Sequence, residues 1–292
     1  MQMPGQFPSF CPAFGEPLQI VDDLGETVVF EAPASRIVSI YAGHTENLIA
    51  IGARGSILAI GHEAESGLGL TVPSFGARPG IERVIALSPD LVLTRPMMAR
   101  AQEHFYSALK SFGVRVVALD PPSWEEFPGY IALLGKMTGR SESGAMASEA
   151  TRGKFQGASA GASRKGVFLV TNGRTMATCA PDSWAAHIIE AAGFRNAARG
   201  AVPVSPGSSV ASFGAERLLA ADADVDVILL QQGAMNTIRA EDFMSDPRFS
   251  ALRAVRGRMV FDIPEAEISR PSLLRLENGA VRSLRDLVAG GN

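Results

Sequence analysis

Residues 80–94 read GIERVIALSPDLVLT, and residues 214–230 read GAERLLAADADVDVILL. Each stretch opens with Gly-x-Glu-Arg, continues as a short apolar helix, turns through aspartates and ends in a run of buried-strand character. A phrase said twice in one chain reports architecture before anything else. The copies lie far apart, so the pattern predicts two similar α/β lobes with something held between them.

Working outward, the chain alternates strand and helix. Residues 37–40, 57–60, 91–93 and 114–119 read as strands, and 46–51, 81–87 and 99–112 as helices. The strands are continuous apolar runs, which is the pattern of parallel strands covered on both faces. Alternating β and α then predicts a doubly wound parallel sheet with right-handed crossovers. Ser123 and Glu126 have the spacing of a capping box. It predicts a helix over 124–138, interrupted at Gly139 and resumed over 141–156. The second lobe reads as strands at 167–170, 225–230 and 259–263, with helices at 184–192, 215–220 and 271–288. The fold class expected is therefore α/β, two doubly wound lobes with parallel sheets joined by a long backbone helix. The boundaries are an N-terminal extension at 1–18, a first lobe at 19–122, a helical linker at 123–163 and a second lobe at 164–292.

Bulk composition narrows the function. The chain has 292 residues, 46 % of them hydrophobic, and a formal net charge of -3. That charge does not suit a general nucleic-acid binder. No apolar run reaches the ~18 residues of a membrane span. Residues 1–18 are rich in Pro, Phe and Gly and lack the basic start and apolar core of a signal peptide. Cys11 and Cys179 are in no metal-ligand spacing, and a bridge between them is open on sequence. Cys11 is not in a lipobox-like setting. Neither a Gly-x-Ser-x-Gly elbow, a phosphate-cradling Gly-x-x-x-x-Gly-Lys, a Gly-x-Gly-x-x-Gly after a strand nor a His-Glu-x-x-His is present.

A set of segments carries a resemblance. It comprises IVDDLGETVVFEAPASRIVSI (20–40), HTENLIAIG (44–52), GIERVIALSPDLVLT (80–94), SFGVRVVALDPPSWEEF (111–127), LGKMTGR (134–140), AAGFRNAA (191–198), DPRFSALRAVRGRMVFDIP (246–264) and Arg270-Pro-Ser. Their order and spacing resemble the solute-binding proteins of ABC importers that take up iron–siderophore complexes, haem and cobalamin. The resemblance implies two lobes joined by a helical backbone and a ligand in the cleft between them. It implies no catalysis and no resident cofactor. The expected partners are an ABC permease with its ATPase and a small-molecule metal complex. No nucleic acid is expected, contact with the membrane comes only through the permease, and the protein is expected to be a periplasmic or extracytoplasmic monomer.

Candidate residues follow. In the resembled family a glutamate on each lobe docks onto permease arginines, and Glu82 and Glu216 hold the matching places; the plain alternative is that each favours the first turn of its helix. Arg95 follows a strand directly and would aim a five-donor fork at an anionic ligand, or pair with a nearby acid. Arg174 and Arg270 are expected on the opposite wall. Tyr41 and His44 end the first strand, and both residue types ligate metals. Haem-binding members tend to carry a tyrosine after the second strand, where this chain has Gly61-His62-Glu63; His62 is the candidate substitute. Trp184 offers a ring for stacking or a core residue. Asn172 and Thr175 offer hydrogen bonds. Met97, Met98, Met176 and Met235 offer adaptable apolar surface. His104 and His187 receive no role, and no metal-ligand set is assigned. The competing readings are a tetrapyrrole chelatase-like enzyme and a direct binder of a metal ion or an oxyanion such as molybdate.

Overall fold

The computed structural model describes residues 16–62, 68–76, 78–157, 165–233, 236–277 and 279–289. The chain packs as two compact units. One is formed by Met1–Pro121 with Gly129–Ser148, the other by Pro122–Pro128 with Glu149–Asn292.

The first unit begins with an antiparallel hairpin of β1 (Leu18–Val21) and β2 (Thr27–Phe30). Then come β3 (Ile37–Ser39), α1 (Ala42–Ala50), β4 (Ile57–Gly61), β5 (Ser74–Phe75), α2 (Ile81–Ile85), β6 (Leu91–Thr94), α3 (Pro96–Ala101), α4 (Glu103–Ser111) and β7 (Arg115–Ala118). The five strands after the hairpin form one parallel sheet in the order β5-β4-β3-β6-β7. Val38, Ala59, Val92 and Val116 from neighbouring strands share a core with Leu109 of α4, all buried. The near-total burial of β3 and β6 is what their unbroken apolar runs require. The chain enters this sheet at its middle strand. It adds β4 and β5 on one side and then returns to add β6 and β7 on the other. The reversal between β3 and β6 is a topological switch point, where open α/β sheets take ligands beyond their strand ends.

The expected single helix over 99–112 is two helices. Gln102, with φ -135°, parts α3 from α4. Downstream lie α5 (Phe127–Met137) and α6 (Ser141–Gly157), parted at Gly139, whose φ is 68°. The capping box forms reciprocally: Ser123 N–H donates to Glu126 Oε2 at 3.0 Å and Glu126 N–H to Ser123 Oγ at 3.3 Å.

The second unit contains β8 (Gly166–Asn172), β9 (Ala177–Cys179), α7 (Trp184–Ala191), β10 (Arg195–Asn196), β11 (Val202–Pro203), β12 (Val210–Ser212), α8 (Ala215–Ala220), β13 (Val227–Gln232), α9 (Ala240–Ser245), α10 (Arg253–Arg256), β14 (Val260–Pro264), α11 (Glu265–Ile268), α12 (Leu273–Glu277) and α13 (Ala280–Ala289). Its sheet runs β11-β12-β9-β8-β13-β14, with β10 also beside β8. The strands β8, β10, β13 and β14 are parallel, as the apolar runs predict. To them the chain adds an antiparallel extension of β9, β12 and β11 that strand–helix alternation does not announce. Those strands have two or three residues each, too few to show a period. The chain reverses again between β8 and β13, so this sheet too has a switch point. The last expected helix is divided into α12 and α13 around Gly279, φ 94°.

Cys179 is a buried free thiol. Burial pushes its pKa up to about 11, and it stays protonated at neutral pH. Cys11 and the N-terminal extension up to residue 15 lie outside the described residues, as do Glu63 and Met235.

Candidate functional site

At the carboxyl ends of the first sheet, β3 delivers Tyr41, β4 delivers His62, β6 delivers Arg95 and β7 delivers Asp120. Tyr41 and Arg95 flank the switch point and meet there. The Arg95 guanidinium lies 5.0 Å from the Tyr41 ring centroid, a cation–π stack. Its Nε is 3.9 Å from Asp120 Oδ1. The Arg95 Nε–H is buried with no hydrogen-bond partner among the described residues, although 30 % of the side chain is exposed. Pro96 follows at the first position of α3 and turns the chain from strand to helix at once. Met97, one residue on, is 60 % exposed. His62 is exposed on the neighbouring strand end. The cluster therefore offers an aromatic face, a partly exposed guanidinium and a flexible thioether, which together suit an organic anion.

The Tyr41 ring reaches this place over a glycine. A Cβ on Gly43 would lie 2.5 Å from Tyr41 Cε1. Gly43→Ala is expected to swing the ring off Arg95 and forfeit a stack of about 0.5–2 kcal/mol. Tyr41 ring resonances in NMR spectra should move while the melting temperature changes little. An unmoved ring would refute the close approach.

His44 needs a correction. The sequence places it beside Tyr41 as a ligand residue, but it is 0 % exposed. Its Nε2 faces the carbonyl oxygens of Leu119 at 3.0 Å and Thr94 at 3.2 Å, and its Nδ1 faces the Tyr130 hydroxyl at 2.6 Å. Carbonyls only accept, so Nε2 carries the proton and Nδ1 accepts from Tyr130. Both nitrogens are engaged inside the fold. Burial pushes the imidazole from its ordinary 6.5 down to about 4, so it is neutral at pH 7.

In the second unit, Asn172 ends β8. Its Oδ1 accepts the backbone N–H groups of Arg174 at 3.0 Å and Thr175 at 3.2 Å, an Asx turn that presents both residues exposed. Across the switch point, Gly173 N–H donates to Asn236 Oδ1 at 3.0 Å, and Asn236 Nδ2 donates to Gln231 O at 2.9 Å. Ser269 Oγ donates to Gln231 Oε1 at 2.5 Å. Arg270 is 8 % exposed and paired with Glu265 at 3.0 Å, so its fork is directed at an acid of its own unit. Trp184 is core, 6 % exposed. Its ring lies 4.7 Å from that of Trp124 and 4.8 Å from that of Phe127. The even choice between stacking surface and core thus resolves to core, because the 122–128 segment supplies two more aromatic rings. His187 stacks on Trp124 at 5.1 Å, with its Nε2 3.7 Å from Glu125. Met176 is buried too, with φ 50°.

Glu82 and Glu216 are both exposed, each in the first turn of its helix, α2 or α8. The two copies share a further detail. Arg83 lies over Phe75, 5.2 Å to the centroid, and Arg217 over Phe213, 4.4 Å. Arg217 also donates to Gly200 O at 2.8 Å. Each arginine is drawn onto an aromatic ring. Asp120, Asp23, Tyr130 and Asn236 were not singled out in the sequence. The loops that hold Asp120 and Asn236, 120–122 and 231–236, were visible there as segments following strands.

Among the described residues no group of three His, Cys, Asp or Glu side chains is placed to hold a metal ion. No described helix is long and apolar enough to cross a membrane. A family model described as periplasmic binding protein matches residues 37–267. This chain belongs to the periplasmic binding protein family. No curated protein matches the chain. Solved structures do. The periplasmic haem-binding protein HutB of Vibrio cholerae is similar with a TM-score of 0.71 and 19 % identity, over 87 % of this chain and 98 % of its own. An ABC-type Fe3+-hydroxamate transport protein from Saccharomonospora viridis gives 0.66 and 19 %, over 93 % and 98 %. CeuE of Helicobacter pylori, crystallised with Ni-His, gives 0.68 and 14 %, over 94 % and 89 %. At these identities the likeness is one of fold, and it holds along nearly the whole of this periplasmic binding protein.

Proposed function

We propose that this periplasmic binding protein is the extracytoplasmic solute-binding component of an ABC importer. It captures a metal chelate at the carboxyl ends of its strands and delivers it to the permease as a monomer, with no resident cofactor and no chemistry of its own. An iron–siderophore complex is the first choice of ligand, with haem or a corrinoid behind it. The observation that carries the reading is the doubled Glu-Arg corner. Two exposed carboxylates, Glu82 and Glu216, stand one on each unit, with their neighbouring arginines sequestered on Phe75 and Phe213. Exposed carboxylates of this kind steer and register a basic partner. The structural neighbours that transport iron–hydroxamate and bind haem support the ligand class. So does the Tyr41–Arg95–Met97 surface, which matches a bulky organic anion better than a bare ion.

A thermal-shift panel tests it. Ferric hydroxamate, ferric catecholate, haemin, cobalamin and molybdate are each added at a hundred times the dissociation constant of a tight ligand. One of the chelates should stabilise the fold by about 2.7 kcal/mol, a rise of several degrees in melting temperature. Silence from all the chelates with a response to molybdate would replace the proposal by the oxyanion reading. Metal insertion into added porphyrin would replace it by an enzyme.

A further inference from the structure

Arg95 and Asp120 lie one and two residues beyond the β6–β7 ladder, whose last bridged pair is Thr94 with Ala118. Loop residues in such a place have no sheet partner to hold them. Here the backbone just before them is gripped from two sides. On one side the His44 Nε2–H is shared between the carbonyls of Thr94 and Leu119, the residues immediately preceding Arg95 and Asp120. Leu119 N–H also donates to Thr94 O at 2.9 Å, which closes the knot. The imidazole itself is oriented by Tyr130 through Nδ1. On the other side the turn of the β1–β2 hairpin reaches over. Asp22 Oδ2 accepts Ala118 N–H at 3.1 Å. Asp23 N–H donates to Ala118 O at 3.0 Å, and Asp23 Oδ2 accepts Asp120 N–H at 2.6 Å. The Arg95–Asp120 separation of 3.9 Å depends on where these two strand ends are set.

We infer that His44 and Asp23 are positioning residues for Arg95: they fix the ends of β6 and β7 so that the guanidinium is preset on the Tyr41 ring, facing Asp120, for an anionic group of the ligand. The imidazole is buried and touches no solvent, yet it sets the arginine that does. Asp23 reaches the same arginine from an exposed turn, about seventy residues earlier in the chain. The part of this inference that concerns ligand rests on the proposed function; the part that concerns Arg95 does not.

The experiment therefore has a ligand-free arm. Hydrogen exchange of the Arg95 Nε–H, followed by NMR in the full-length protein, reads the buried guanidinium edge directly. Asp23→Ala and His44→Leu should each speed that exchange at least tenfold. Asp23→Asn, which keeps an acceptor oxygen, should stay near the parent rate. Unchanged exchange in Asp23→Ala, a change at an exposed side chain, would overturn the inference even if its melting temperature fell. The second arm measures the dissociation constants of haemin and a ferric trihydroxamate. Asp23→Ala should weaken the bound probe about tenfold in the parent and not at all in an Arg95→Ala background, since residues acting through one another are non-additive. Additive losses would count against the inference. If the parent binds neither probe, the hydroxamate and haem readings of the ligand fall while the Nε–H exchange still decides the positioning role.

Discussion

Between pH 6.5 and pH 4 the protein should lose about 3 kcal/mol of folding stability through His44 alone. The imidazole has an ordinary pKa of 6.5 when unfolded and about 4 in the fold. Between those values the unfolded chain takes up a proton that the native state refuses, so stability falls as pH falls. Above pH 6.5 both states are neutral and the contribution is whole. Below pH 4 both are protonated and nothing more is lost. A shift of about 2.5 pH units is worth about 3 kcal/mol at 1.36 kcal/mol per unit. No discount for solvent applies at a residue with 0 % exposure. The cause is burial first; the two carbonyls facing Nε2 oppose it by favouring a proton there. Urea midpoints at pH 7, 5.5 and 4.5 should show the decline, and His44→Gln should be less stable at pH 7 but lack this segment of the slope. The same slope in both proteins would mean that the decline belongs to carboxylates instead.

Reversing charge at both Glu82 and Glu216, as Glu82→Lys with Glu216→Lys, should lower import roughly a thousandfold, taking about 2 kcal/mol for each docking contact that is turned repulsive. Neither side chain is buried and neither forms an ion pair among the described residues, so the fold has little stake in either. Chelate affinity and melting temperature should be those of the parent. Uptake of the labelled chelate in cells carrying the cognate importer reads the first quantity; titration of the purified protein reads the second. Each single reversal should account for about half of the loss on a logarithmic scale. Full import by the double variant would remove the docking role, and a parallel fall in chelate affinity would assign the glutamates to the ligand.

The duplicated phrase was legible because both copies keep their elements: α2 with β6, and α8 with β13, fall where the helix and strand runs lie. The core strands were legible because their interiors are unbroken apolar runs, as in β6 and the first four residues of β13. What could not be seen was short or contextual. The strands β9, β11 and β12 are too brief to carry a period, and β11 ends in Pro203, which ordinarily argues against a strand. The break at Gln102 leaves no trace because neither Gly nor Pro stands between α3 and α4 to mark it. Within the site, Tyr41, Met97 and Arg95 were visible from their position after strands. His44 was misplaced because a polar residue next to a strand end looks solvent-facing. Nothing in the local sequence announces that Tyr130, 86 residues later, supplies its partner. Trp184 failed to declare itself for the matching reason: its neighbours Trp124 and Phe127 come from a different stretch of chain. Local pattern fixes which residues leave a strand end, whereas burial there is decided by segments that arrive from elsewhere.

The tryptophans and tyrosines divide between the units without overlap. Trp124 and Trp184, the two tryptophans of the chain, belong to the second unit, and all three tyrosines, Tyr41, Tyr106 and Tyr130, belong to the first. Native emission from indole thus watches one half of the molecule, and phenol ellipticity watches the other. Whether the halves melt together or in turn can be read from the unlabelled protein, each half reporting in its own colour.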